Sequence, residues 1–139
     1  MNKILTQQDL LGVWTLDEFT IHRESGEDFV WPGKQRGTLI YTYNGYVSVA
    51  QNRDALPNPT PEDALRVSNF YTARYELDLE HGRVFHTILQ SSVAASIGQR
   101  VMRSVTLLDD GRLRIVGEGL KETVTLIWSR ADAREEAPT

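Results

Sequence analysis

The sequence contains no cysteine, which excludes disulfides, thiolate–zinc sites and cysteine nucleophiles. No apolar run approaches the ~20 residues that span a bilayer as a helix. The opening residues, Met1 to Asp9, lack the apolar core and cleavage pattern of a secretory leader. Lys and Arg are scattered and the formal net charge is -4, so there is no clustered basic stripe to suit nucleic acid. No internal repeat or low-complexity segment is evident. A soluble cytoplasmic protein is the expectation, with neither nucleic acid nor membrane as a partner, as a monomer or homodimer.

Chemical signatures are absent as well. There is no Gly-x-Ser-x-Gly elbow around Ser91, Ser92 or Ser104, no phosphate-cradling glycine loop and no dinucleotide fingerprint, so no cofactor is expected. Asp109-Asp110-Gly111 lacks the downstream ligands of a calcium loop and reads as a turn. His22, His81 and His86 are too scattered for a metal site.

What is present is β-rich. Gly37 to Val49 holds two strand-like runs around Asn44-Gly45, a pair that accepts the positive φ angles of a type I′ hairpin turn. Further strands are predicted over Val13–His22, Phe29–Trp31, Arg83–Gln90, Gln99–Leu108, Arg112–Val116 and Glu122–Ser129. From Ala73 to Glu80 apolar and charged residues alternate, as in a half-buried strand. Two helices are predicted. Thr6 caps a short one over Gln7–Leu11 with Asp9 three residues on. Thr60-Pro61-Glu62-Asp63 opens a second, running to about Phe70 or Tyr71 and contributing Leu65, Val67 or Phe70 to a barrel end. The stretch Asn52–Thr60 between them reads as a loop.

With 139 residues, one domain with one sizeable core is expected. About nine sequentially adjacent strand pieces imply an all-β antiparallel barrel of eight to nine strands, with one or two short helices. Such a barrel has an interior just wide enough for side chains or one small ligand. The barrel domain is expected over residues 1–130, with a polar tail over 131–139.

Several pieces in order carry a resemblance: Leu11-Gly-Val-Trp-Thr-Leu16, Arg36-Gly-Thr-Leu-Ile-Tyr41 with Asn44-Gly-Tyr46, Thr60-Pro-Glu-Asp63, Ala73-Arg-Tyr-Glu76, Val84-Phe-His86, Gly98-Gln-Arg-Val-Met-Arg103 and Leu126-Ile-Trp128. Together they resemble the lipocalin-like domain family of bacteria and fungi. The resemblance implies a calycin-type barrel with an internal cavity, and little about chemistry. Family members often carry a longer Thr/Ser/Pro-rich passage after the position of Leu113. Here Gly117–Lys121 is a short turn, so a different cavity mouth is expected.

Two polar residues sit in apolar strand patterns. His86 is spaced with Val84 and Ile88. It reads either as a lumen base or ligand partner, or as a core histidine satisfied by a neighbour. Arg103 shares a face with Val101, Val105 and Leu107. It reads either as an anchor for a carboxylate, enolate or phenolate, or as one half of a structural ion pair, for instance with Asp17. If that strand faced the other way, Met102 would enter the lumen. His86 and Arg103 fall on consecutive strands that are expected to pair, with the arginine depressing the histidine pKa. Tyr41, Tyr71, Tyr75 and Trp128 are candidate pocket aromatics, and Trp14 is expected to pack against the closed end.

Two ligand functions remain open at this point, beside a third reading, a structural or interaction module with a filled core. One is binding of a small hydrophobic or aromatic ligand in the lumen. The other is a cofactor-independent isomerase, cyclase or lyase acting on a polyketide-like or aromatic substrate, with His86 and Arg103 as catalytic residues.

Overall fold

The computed structural model describes residues 5–24, 26–118 and 122–131. The expected polar tail beyond Ala131, residues 119–121 of the expected Gly117–Lys121 turn and the side chain of Leu65 lie outside the described residues. In chain order the elements are α1 (Gln7–Leu10), β1 (Gly12–Arg23), β2 (Phe29–Val30), β3 (Gln35–Tyr41), β4 (Tyr46–Arg53), α2 (Pro61–Arg66), β5 (Ser68–Asp78), β6 (Arg83–Ser91), β7 (Arg100–Leu107), β8 (Leu113–Glu118) and β9 (Glu122–Arg130).

Strands β3 to β9 pair in sequence order, each antiparallel to the next, and β9 returns to pair with β1. Eight strands therefore close into a barrel, as the strand count in the sequence implied. Closure leaves those strands no free edge. Strand β1 serves both sides of the closure. Its first half, Gly12 to Thr15, pairs with β3, its second half, at Thr20 and Ile21, takes the short β2, and its other edge runs along β9. Asp17 is the extra residue of a bulge between Leu16 and Glu18. The bulge turns its carboxylate outward, where it accepts a hydrogen bond from the Ser129 hydroxyl.

The Asn44-Gly45 hairpin forms, with a different turn. Among the described residues only glycines have positive φ, Gly45 among them at 93°, so Asn44 is not in the left-handed region that a type I′ turn needs. Gly45 N–H donates to Thr42 O and Thr42 N–H to Tyr46 O, a tight turn closed by a left-handed glycine. The β7–β8 connection repeats this construction: Gly111 N–H donates to Leu108 O, Leu108 N–H to Arg112 O, and Gly111 has φ 87°.

Helix α2 is shorter than its sequence pattern suggested. Thr60 caps it by accepting from Asp63 N–H at 3.1 Å, but it stops at Arg66. Residues 68–71 belong instead to β5, paired with Asn52 to Val49 of β4. The ladder of hydrogen bonds along β4 outweighs the weak propensity of one more helical turn. Phe70 consequently points outward and is exposed, whereas Val67 packs on the core.

The interior divides along the barrel axis. At the end closed by α1, Leu10, Trp14, Tyr41, Val47, Val84 and Leu113 are completely or almost completely buried. The Trp14 indole donates to Leu10 O at 3.0 Å, and the Arg130 guanidinium stacks on the Trp14 ring while donating to the Asp9 and Leu11 carbonyls. The sequence signal for Trp14 at the closed end thus corresponds to a floor pinned by both chain segments. The other end lies beside α2 and opens into a cavity.

Candidate functional site

The cavity has a volume of about 380 Å³, towards the lower end of ligand-pocket sizes, about 300–1,000 Å³. Its walls are Leu39, Val49, Ile115, Leu126 and Trp128, with Phe19 opposite, and α2 supplies Glu62 and Arg66 at the rim. Polar groups meet it in two places.

The deeper place is built on β5, β6 and β7. In the β5–β6 ladder His86 pairs with Tyr75, and in the β6–β7 ladder it pairs with Val101, while Val84, two residues back, pairs with Arg103. Side chains two apart on a strand share a face, so His86 and Arg103 both point inward. The His86 ring is 2% exposed and lies between two phenols. The Tyr41 hydroxyl is 2.9 Å from Nε2 and the Tyr71 hydroxyl is 2.8 Å from Nδ1.

Hydrogen-bond accounting fixes the direction of this chain. The Tyr41 hydroxyl is fully buried and has no other partner among the described residues. Donating its proton to Nε2 satisfies it, whereas accepting from the histidine would strand that proton. The imidazole then carries its hydrogen on Nδ1 and donates to Tyr71. The phenol oxygen of Tyr71 thereby accepts from His86 and keeps its own O–H for the cavity that Tyr71 lines.

Electrostatics agree with this order. Burial pushes the His86 pKa down to about 3, with the nearby Arg103 charge adding to the fall, so the ring is neutral at pH 7. Burial also raises both phenols, Tyr41 well above its ordinary value; for Tyr71 the charge and hydrogen bonding of Arg103 pull the other way without overcoming burial. Both tyrosines are therefore neutral donors. Arg103 itself donates to Met102 O at 3.1 Å and pairs with no carboxylate among the described residues. Asp17, the partner weighed from sequence, is bound to Ser129 and near Arg112 instead. Gly117 leaves room for the guanidinium: a Cβ there would lie 3.4 Å from Arg103 Cζ.

The structure sorts the other candidates. Trp128 lines the cavity, and its indole nitrogen is buried with no acceptor among the described residues. Tyr41 reaches the cavity only through His86. Tyr75 does not line it: its hydroxyl donates to Thr42 O at 2.7 Å and accepts from Gln7 at 3.0 Å, and its ring meets Tyr41 edge-on at 5.0 Å. That places Tyr75 in the floor. Met102 does not line the cavity either, because Arg103 takes the inward position and strand alternation turns Met102 outward, opposite Phe85. His22 and His81 sit outside the barrel and bind Asp28 and Asp78 respectively.

A second polar place, at the mouth, was not legible as a site. Gln51 and Arg53 continue the inward parity of Val47 and Val49 along β4 and are buried like them. That parity was the available signal. In sequence, Arg53 next to Asn52 and two prolines reads as the start of a loop rather than as an inward strand position.

A family model for lipocalin-like domains matches residues 11–131. The chain belongs to the lipocalin-like domain family. In this lipocalin-like barrel the match runs from the end of α1 through all nine strands, so it covers both polar places. No curated protein matches the chain. A solved structure of a redesigned beta barrel matches over 95% of this chain and 100% of its own, with 12% sequence identity and a TM-score of 0.44. A lipocalin-like barrel with an interior cavity fits the binding of a small molecule in general. No helix among the described residues is long and apolar enough to cross a membrane.

Proposed function

We propose that this barrel binds a small, largely apolar or aromatic molecule in its lumen, oriented by one oxygen that faces Tyr71 and Arg103. The observation that carries this reading is the Tyr71 hydroxyl, held by His86 with its own proton turned to the cavity, beside an arginine without a carboxylate partner. A neutral phenol and a guanidinium together suit a phenolate, enolate or carbonyl oxygen. The apolar walls and the Trp128 ring suit the remainder of such a molecule.

The relay Tyr41–His86–Tyr71 also favours a second reading, a cofactor-independent isomerase, cyclase or lyase using acid/base chemistry on a polyketide-like or aromatic substrate. Both His86 nitrogens are engaged by tyrosines. The group that would deliver a proton to a substrate oxygen is then Tyr71, with His86 resupplying it and Arg103 holding the anionic form.

Native mass spectrometry of freshly purified protein tests the binding reading, supported by quenching of tryptophan fluorescence with a panel of simple phenols. A bound small molecule, or saturable quenching lost in a Tyr71→Phe, Arg103→Met double variant, is the expected result. Absence of both in the parent protein would overturn it. Recovery of the bound molecule chemically changed after incubation would favour the enzyme.

A further inference from the structure

The mouth of the cavity contains two arginines with opposite surroundings. Arg66, on α2, has its charge balanced by Glu122 and by Asp63, the latter at 3.8 Å. Arg53, at the end of β4, is 5% exposed, lines the same cavity and has no carboxylate within ion-pair distance among the described residues. Two of its five N–H groups are used, one on Arg66 O and one on the Gln51 side chain. Its Nε is buried and has no partner among the described residues. Arg53 Cζ lies 3.7 Å from the centre of the Phe19 ring, a contact that steadies the fork. A cation buried without a counter-charge is costly, and here it is aimed at a space of ligand size.

We infer that Arg53, steadied by Gln51 and Phe19, is a second anchor, and that the molecule in the lumen is a monocarboxylic acid whose acid group meets Arg53 at the mouth while its other oxygen meets Tyr71. The inference rests on the binding reading above and sharpens it to a chemical class. A carboxylate matches the planar fork of one guanidinium. A dianion such as a phosphate is disfavoured, since Glu62 also lines the mouth and Glu122 stands beside Arg66. Val49 is paired with Tyr71 across the β4–β5 ladder. Arg53 is four residues further along β4, about 13 Å at ~3.3 Å per residue. The acid and the oxygen are accordingly at opposite ends of an elongated molecule.

The test uses para-hydroxyphenyl alkanoic acids of graded chain length and their primary amides, titrated by tryptophan fluorescence against the unmodified protein and Arg53→Gln. The unmodified protein is expected to bind the best acid about tenfold to a hundredfold more tightly than its amide, the range of a hydrogen-bonded charge pair. Arg53→Gln is expected to abolish that preference, weakening the acid far more than the amide. Equal binding of acid and amide by the unmodified protein would overturn the inference and spare the binding reading. So would a preference that survives in Arg53→Gln, which would assign the acid to Arg103. Failure of acids and amides alike would overturn both. Thermal unfolding checks the fold. If Arg53→Gln does not fold, Arg53→Lys keeps the charge without the fork and is expected to show a reduced preference.

Discussion

At the α1 end of the barrel the buried polar side chains among the described residues are answered from within: the Trp14 indole by Leu10 O, the Tyr75 hydroxyl by Thr42 O and Gln7. At the α2 end and along the cavity wall they are not. The buried polar atoms without a partner among the described residues are Gln35 Oε1, Arg53 Nε and Trp128 Nε1, and two arginines there lack an acid. A satisfied floor stabilises, because burying an apolar ring with its one polar tip bonded removes surface from water without a desolvation penalty. An unsatisfied wall costs stability that a ligand can return on binding. The barrel thus separates residues that hold the fold from residues that hold a guest, with His86 at the boundary touching one tyrosine of each.

Substitutions can break or sharpen that division. The largest effect is expected from the floor: Trp14→Ala should lower stability in urea by about 3–5 kcal/mol, the range for deleting a buried aromatic. Phenol binding by the folded fraction should be unchanged. Next is Gly37→Ala on β3, where a Cβ would sit 2.8 Å from Leu16 Cβ and 3.3 Å from the Trp128 ring. Overpacking of this kind costs about 1–3 kcal/mol, and equilibrium unfolding in urea would show it. A variant as stable as the parent would mean that the β1–β3 corner yields more easily than the floor.

The boundary residue has a pH signature. His86 titrates at about 3 in the folded protein and near ~6.5 when unfolded. Its contribution is therefore fully present above pH 6.5 and is lost as pH falls from there towards 3, because the unfolded chain takes up the proton first. Between pH 7 and 5 this single group should remove about 1–2 kcal/mol of stability. His86→Gln should flatten that part of the curve, measured by urea unfolding at both pH values; an unchanged slope would show that His86 is not the group responsible. His86→Ala is a blunter probe, since it would strand the buried Tyr41 hydroxyl and destabilise the protein. The wall comes last: Tyr71→Phe removes the acceptor of the buried His86 Nδ1–H, which should cost about 1–3 kcal/mol of stability, and should weaken a phenolic ligand about tenfold, the worth of one hydrogen bond. Isothermal titration with the best phenol from the panel measures it, and equal affinity would remove Tyr71 from the site.

The barrel was legible because its evidence is local. Alternation along Ala73–Leu79, glycine turns at Gly45 and Gly111, and the Thr60-Pro61 helix start each report on neighbouring residues. The inward direction of Arg103 was among the sequence alternatives for the same reason. What escaped the sequence depends on pairing at a distance. Tyr71 looked like a helix end because nothing local shows that Val49 waits across the ladder. The Tyr41–His86 contact joins strands that are not neighbours in the sheet. Arg53 followed the parity of its strand, but a charged residue at an inward position is indistinguishable from a strand end until the cavity beside it is known.

The pairing of β1 with β9 has a consequence for how the molecule assembles. Every other ladder of the barrel joins strands close in sequence and can form as a hairpin or meander, whereas Trp14 meets Arg130 from the far side of the chain. Loop-closure entropy makes that contact the last to be rewarded. The β1–β9 ladder is then the seam at which folding is expected to finish and unfolding to begin, and Asp17, the bulged residue on it, sits where the two halves of the zip must find their register.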